Sequence, residues 1–142
     1  NFVYWSMLEK SLPLTGTGDE TRDFTYVLDL VQGLIKAGYY EDAIGQAFNL
    51  ASGKETKIKD MISMVNNATG NATPITEFPP RKWDTKKRLL ASIDLAGKLI
   101  DYKPIISFDE GLKSNFDWFK TNWEKIQKAA DFPIGMSSAV RK

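Results

Sequence analysis

Hydrophobic positions recur at helical spacing in several segments of the chain. In residues 56–66 the apolar side chains fall at i, i+3, i+4 and i+7, and Thr56 precedes them as a candidate N-cap. That stripe consists of Ile58, Met61, Ile62 and Val65. A longer stripe at 4-4-3-4-3 spacing follows Ser107 and Glu110, which form a capping box. It consists of Phe108, Leu112, Phe116, Phe119, Trp123 and Ile126. Both patterns predict amphipathic helices.

Three more segments predict helices. Residues 2–10 are apolar-rich and free of Pro and Gly, which indicates the end of a helix. Asp29 is placed to cap a helix that ends near Gly38, with Leu30, Val31, Leu34 and Ile35 as its buried face. Ser92 is placed to cap a helix with Ile93, Ala96, Leu99 and Ile100 facing inward.

Short β-branched or aromatic runs between these segments predict strands at 21–27, 47–50 and 75–78, with 88–90 extended. Strands that alternate with helices indicate an α/β or α+β fold with a small mixed sheet and packed helices. We expect one domain over residues 1–135 and a loose C-terminal tail over 136–142.

The composition of the chain excludes several classes of catalytic and metal-binding site. The 142 residues include no Cys and no His, which excludes thiolate nucleophiles, Ser-His-Asp triads and His- or Cys-ligated metals. The net charge of +1 argues against a nucleic-acid or anionic-membrane partner. No apolar run has the length of a membrane span and no secretory leader is evident, so we expect a cytoplasmic protein.

Arg22 is the first candidate binding residue. A Gly-rich turn, Gly16-Thr17-Gly18, delivers it to the start of a strand, where its planar fork can bind a phosphate or carboxylate. Local pairing with Asp19, Glu20 or Asp23 is the alternative, and spacing alone favours that alternative.

A basic run at residues 81–88 is the second candidate. Five of its eight residues are Lys or Arg and one is Trp, a composition that suits a polyanion or a solvated loop. The chain carries neither a Walker loop nor a dinucleotide G-x-G-x-x-G fingerprint, and no Tyr has a Lys four residues later.

Seven short motifs occur in an order that resembles the C-terminal half of the NAD-dependent epimerase/dehydratase family. They are LPLTGTG (12–18), TRDFTYVLDL (21–30), FNLASGKE (48–55), RKWD (81–84), RLLAS (88–92), YKP (102–104) and SFDEGL (107–112). Family members are extended short-chain dehydrogenases of Rossmann type, such as UDP-glucose 4-epimerase. The resemblance covers about residues 2–125 and implies the substrate-binding part of such an enzyme.

The resemblance implies roles for four residues. Arg22 and Arg81 would grip the diphosphate of a UDP- or dTDP-sugar, Asp84 would accept hydrogen bonds from the ribose, and the backbone of Thr15 would meet the nucleobase. Phe24 stands where some epimerases carry Tyr, so no polar role is transferred to it.

The resemblance also implies what is absent from this sequence. The NAD fingerprint and the catalytic Tyr and Lys of the family belong to an upstream region, in an enzyme about twice this length. We therefore expect NAD to be bound outside this chain, and the chain alone to be inactive and to self-associate as a homo-oligomer through exposed apolar surface. A stand-alone nucleotide- or protein-binding module is the alternative.

Overall fold

The computed structural model describes residues 1–83 and 85–130. Its helices are α1 (Phe2–Met7), α2 (Val27–Tyr39), α3 (Ile58–Thr69), α4 (Asp94–Ile100), α5 (Phe108–Thr121) and α6 (Trp123–Ala129). Its strands are β1 (Pro13–Thr15), β2 (Thr21–Asp23), β3 (Glu55–Lys57), β4 (Thr76–Phe78) and β5 (Arg88–Leu89). The predicted tail at 136–142 lies outside the described residues.

The strands form two small sheets. In the three-stranded sheet, β2 is central, antiparallel to β3 and parallel to β5, so this sheet is mixed. In the other sheet, β1 pairs in parallel with β4, with Leu14 opposite Glu77. The predicted α/β class with a small mixed sheet and packed helices is confirmed, although the strands divide between two sheets.

One hydrophobic core joins α1, β1 and α3, with α5 packed against it. Leu12 and Ile62 are fully buried at its centre. The apolar face predicted for α3 is therefore the face that packs. The longer stripe was predicted on one helix, but Asn122 divides it between α5 and α6, and its α5 part contributes partly buried side chains to this core. The hydroxyl of Ser6 in α1 donates a 2.8 Å hydrogen bond to Asn66 Oδ1 in α3, which satisfies a buried polar group.

A second core lies under α4. Ala96 and Ile100 are fully buried beside Tyr102, as the inward face predicted for this helix requires. The Tyr102 hydroxyl donates to the carbonyl oxygen of Ala51 at 3.1 Å. Gly33 of α2 lies against the Tyr102 ring, where a Cβ would be only 2.8 Å from Cε2. The absence of a side chain at Gly33 is what lets α2 approach this core.

The predicted buried face of α2 is wrong. Leu34 is 58% exposed and Ile35 68% exposed, and the helix instead buries Asp29 and Gly33. Asp29 does not cap α2, because its carboxylate accepts hydrogen bonds from the backbone N–H groups of Ile105 and Ile106 at 3.1 and 3.0 Å. A carboxylate and a glycine on the inner face leave the apolar stripe on the outside.

Two strand predictions are also corrected. The strand predicted at 21–27 ends at Asp23, and Val27 already begins α2. The Asp23 carboxylate accepts the backbone N–H groups of Ser52 and Gly53 at 2.9 and 3.0 Å, which fixes the chain where the strand ends. Residues 47–50, a short apolar run predicted to be a strand, form no strand.

The capping predictions are confirmed at one helix and wrong at another. The capping box of Ser107 and Glu110 is confirmed at the start of α5. Thr56 is wrong as a cap, since it lies in β3 and Lys57 is the N-cap of α3. Ser92 lies one residue ahead of the N-cap of α4, where its hydroxyl donates to Asp94. Across the described ranges, no helix has the length and apolar character needed to cross a bilayer.

Candidate functional site

A cavity of about 190 Å³ brings together three of the four predicted site residues. Thr15 enters it from the end of β1, Arg22 from the middle of β2, and Arg81 from the turn that follows β4. Its other lining residues are Phe2, Pro13, Gly16, Glu20, Ile58 and Pro80. The fourth residue, Asp84, lies outside the described residues, so its role stays a prediction.

Arg22 is held by its position in the sheet. As the middle residue of the central strand, it is paired with Thr56 on one side and Leu89 on the other. Its Nη1 donates to the carbonyl oxygens of Thr21 at 2.8 Å and Lys86 at 3.1 Å. Two backbone acceptors therefore fix one edge of a half-buried guanidinium at the cavity.

The acids that flank Arg22 in sequence have partners of their own. Asp23 binds the 52–53 turn. Asp19 lies 2.7 Å from Lys59, whose hydrogen bond holds the pKa of that carboxyl below its ordinary value. Local spacing favoured these acids as partners of Arg22, yet each has a defined bond elsewhere in the fold.

Arg81 is half-buried and lines the cavity from the segment that follows β4. Its guanidinium carbon lies 5.2 Å from the ring centroid of Trp83, a cation–π contact that orients a long side chain. The two arginines thus reach the cavity from different segments of the chain.

The basic run is not one uniform patch. Arg88 makes a bidentate ion pair with Glu55 across the sheet, with both N···O distances at 2.8 Å. The hydrogen bond from Arg88 holds the pKa of Glu55 below its ordinary value, and one from Thr21 adds to the effect. Arg88 therefore ties β5 to β3, whereas Arg81 faces the cavity.

A larger cavity, of about 560 Å³, adjoins the first and shares Gly16, Glu20 and Pro80 with it. Lys86 and Lys87 lie on its wall. Sequence reasoning missed Glu20 as a residue of the site. The available signal was its spacing, because residues two apart along an extended segment share a face, and Glu20 is two before Arg22.

The double-glycine turn does not fit the phosphate cradle of a dinucleotide cofactor. The Gly16 N–H donates to the carbonyl oxygen of Phe78 at 3.0 Å, and the Gly18 N–H donates to Glu20 Oε2 at 2.9 Å. Both amides are engaged and a carboxylate lies over the turn, so a pyrophosphate would meet a negative charge instead of free N–H groups.

A third cavity, of about 300 Å³, contains Phe24 and lies between the start of α2 and the start of α5. The Phe24 ring packs 5.3 Å from that of Phe108, centroid to centroid. Phe24 is therefore not among the residues that line the cavity of Arg22 and Arg81. Among the residues that the structure describes, no group of three or more Asp or Glu side chains is arranged to hold a metal ion.

Known proteins are similar to this chain in sequence and in fold. A UDP-glucuronate 4-epimerase from Thermodesulfobacterium geofontis is 33% identical over 131 residues, which cover 89% of this chain and 38% of that protein. The epimerase Mth375 of Methanothermobacter thermautotrophicus matches with a TM-score of 0.89 and 48% identity, over 91% of this chain and 38% of that one.

The Bordetella bronchiseptica enzyme WbmF, solved with NAD+ and UDP, matches with a TM-score of 0.75 and 35% identity, over 89% of this chain and 37% of that one. No family model matches the chain. The chain spans less than two fifths of the length of these proteins, which is a smaller share than the half that the motif resemblance implied.

Proposed function

The chain belongs to the NAD-dependent epimerase/dehydratase family, and on that premise we propose that it is the part of a nucleotide-sugar epimerase, dehydratase or decarboxylase that binds the nucleotide diphosphate. The observation that carries the proposal is the cavity lined by Thr15, Arg22 and Arg81. Arg22 and Arg81 hold the diphosphate, the backbone of Thr15 meets the nucleobase, and Asp84 accepts hydrogen bonds from the ribose.

The chemistry of the two arginines supports this assignment. A guanidinium offers a planar pair of N–H donors that matches two phosphate oxygens, and each charge-assisted hydrogen bond contributes about 1.5–3 kcal/mol. Arg22 and Arg81 come from separate segments, so they approach a diphosphate from two sides. A single arginine would neutralise only part of its charge.

The same proposal assigns the redox step to the rest of the enzyme. WbmF was solved with NAD+, but the Gly16-Thr17-Gly18 turn of this chain is closed by a carboxylate and does not fit a cofactor pyrophosphate. Tyr102 is no candidate base, because its hydroxyl is bonded to Ala51 and burial raises its pKa. This chain therefore binds and orients the substrate, and NAD bound by another part of the enzyme would supply the oxidising power for the sugar.

Isothermal titration calorimetry with UDP tests the binding role. Removing one arginine should weaken binding about tenfold or more, since about 1.4 kcal/mol corresponds to a factor of ten. Arg81→Ala should therefore raise the Kd for UDP, whereas Lys82→Ala, which removes the same charge from an exposed neighbour, should change it little. Equal effects of the two variants would refute a specific role for Arg81.

A turnover assay with added NAD tests the division of labour. The 142-residue chain is expected to leave UDP-glucose and UDP-glucuronate unchanged, and any conversion would contradict the proposal. Binding of UDP that depends on Arg81, without turnover of either sugar nucleotide, is the outcome that the proposal predicts.

A further inference from the structure

The carboxylate of Glu20 lies where the two adjoining cavities meet. Small-molecule sites commonly enclose about 300–1,000 Å³, and the cavity that contains the arginines is smaller than this range. A ligand larger than its diphosphate must therefore extend beyond it. The adjoining cavity of about 560 Å³ offers that space, and Glu20 lines both.

The carboxylate of Glu20 is fixed over the glycine turn. Its Oε2 accepts the Gly18 N–H at 2.9 Å, and its Oε1 would lie 2.7 Å from a Cβ at Gly16. Gly16 has a φ of +84°, so the backbone here already favours glycine, and the missing side chain leaves the space that the carboxylate fills. The position of the charge at the junction is thus determined by the turn.

A carboxylate at this junction discriminates between the atoms of a ligand. It accepts hydrogen bonds and donates none, so it repels a phosphate oxygen and attracts a hydroxyl or an N–H group. The arginines of the smaller cavity, in contrast, attract phosphate oxygens. A ligand that spans both cavities fits best with its phosphates at Arg22 and Arg81 and with a donor group facing Glu20.

We propose that Glu20 is a specificity-determining residue that selects ligands carrying a hydroxyl or N–H donor beside the diphosphate, as a nucleoside diphosphate does, over bare polyphosphates. The inference rests on the proposed binding of a nucleotide diphosphate at Arg22 and Arg81. A purely structural role in closing the turn is the competing explanation. Glu20→Gln separates the two, because a glutamine carbonyl oxygen can still accept the Gly18 N–H but carries no charge.

The test compares the Kd values of UDP and inorganic pyrophosphate for the wild-type chain, Glu20→Gln and the control Glu41→Gln. Glu41 is an exposed residue of a 3-10 turn (Glu41–Ala43), so its substitution makes the same change in net charge away from the cavities. Circular dichroism melts verify that each variant is folded.

Glu20→Gln should tighten pyrophosphate binding about tenfold and change UDP binding less than about threefold, so the preference for UDP falls. Glu41→Gln should leave the preference unchanged. If Glu20→Gln alters both ligands by the same factor, or neither, the selectivity role is wrong while the proposed function stands. If the wild-type chain binds neither ligand, the proposed function fails and this inference fails with it.

Discussion

The substitution Gly33→Ala, which adds a single methyl group, tests how α2 packs on the second core. A Cβ built at this position would be 2.7 Å from Leu50 Cδ2 and 2.8 Å from Tyr102 Cε2, closer than packed carbon atoms approach. Tyr102 is only 2% exposed and its hydroxyl is bonded to Ala51, so its ring cannot simply turn aside. Gly33→Ala therefore forces α2 away from the core.

Two opposing effects set the size of the change. Overpacking a core costs about 1–3 kcal/mol, whereas alanine is favoured over glycine inside a helix by about 1 kcal/mol. Gly33→Ala should lower the free energy of unfolding by about 1 kcal/mol on balance. Gly38→Ala in the same helix is the matched control, because nothing lies within 4 Å of its Cβ. It should raise the free energy of unfolding by up to about 1 kcal/mol.

Urea denaturation followed by circular dichroism measures both variants. The helix-propensity gain is common to them, so their difference, about 2 kcal/mol, isolates the packing term. Equal stabilisation by the two substitutions would refute the close contact of α2 with Leu50 and Tyr102.

Three further predictions concern stability and association. Asp29→Ala should lower the free energy of unfolding by about 2–4 kcal/mol, because it strips the acceptor from two backbone N–H groups; a loss below about 1 kcal/mol in urea would contradict this. Arg88 holds the pKa of Glu55 below its ordinary 4.5, so this pair stabilises the fold fully above about pH 4.5 and progressively less as the pH falls through the lowered pKa. Arg88→Met should flatten the acid limb of stability against pH, and an unchanged limb would be evidence against the pair. Leu34→Ser with Ile35→Ser should reduce self-association in sedimentation velocity, and a wild-type chain that stays monomeric at high concentration would overturn that expectation.

Features that depend only on residues near each other in sequence could be predicted from the sequence. The capping box joins Ser107 and Glu110, which are only three positions apart, and the α3 stripe depends only on its own periodicity, so both could be found without a structure. The strand that includes Arg22 was predicted too long because the bond from Asp23 to the 52–53 turn joins distant segments. The apolar stripe of α2 was recognised, but periodicity does not tell which face of a helix is covered.

The functional site, too, could be predicted from the sequence only in part. Nothing in the spacing of residues links Arg22 to Arg81; only the ordered motifs suggested that they act together, and the fold brings both to one cavity. Glu20 was interpreted only as a possible ion-pair partner of Arg22, because an acid near an arginine suggests such a pair. Its bond to the Gly18 N–H depends on a turn conformation that the sequence only hints at through two glycines.

Nuclear magnetic resonance of the ¹⁵N-labelled chain titrated with UDP tests the central claim most directly. The account predicts that the amide shifts that change most belong to residues lining the cavity of Thr15, Arg22 and Arg81, and that Arg81→Ala suppresses them. Shift changes centred instead on the cavity between Phe24 and Phe108, or no changes at saturating UDP, would contradict it.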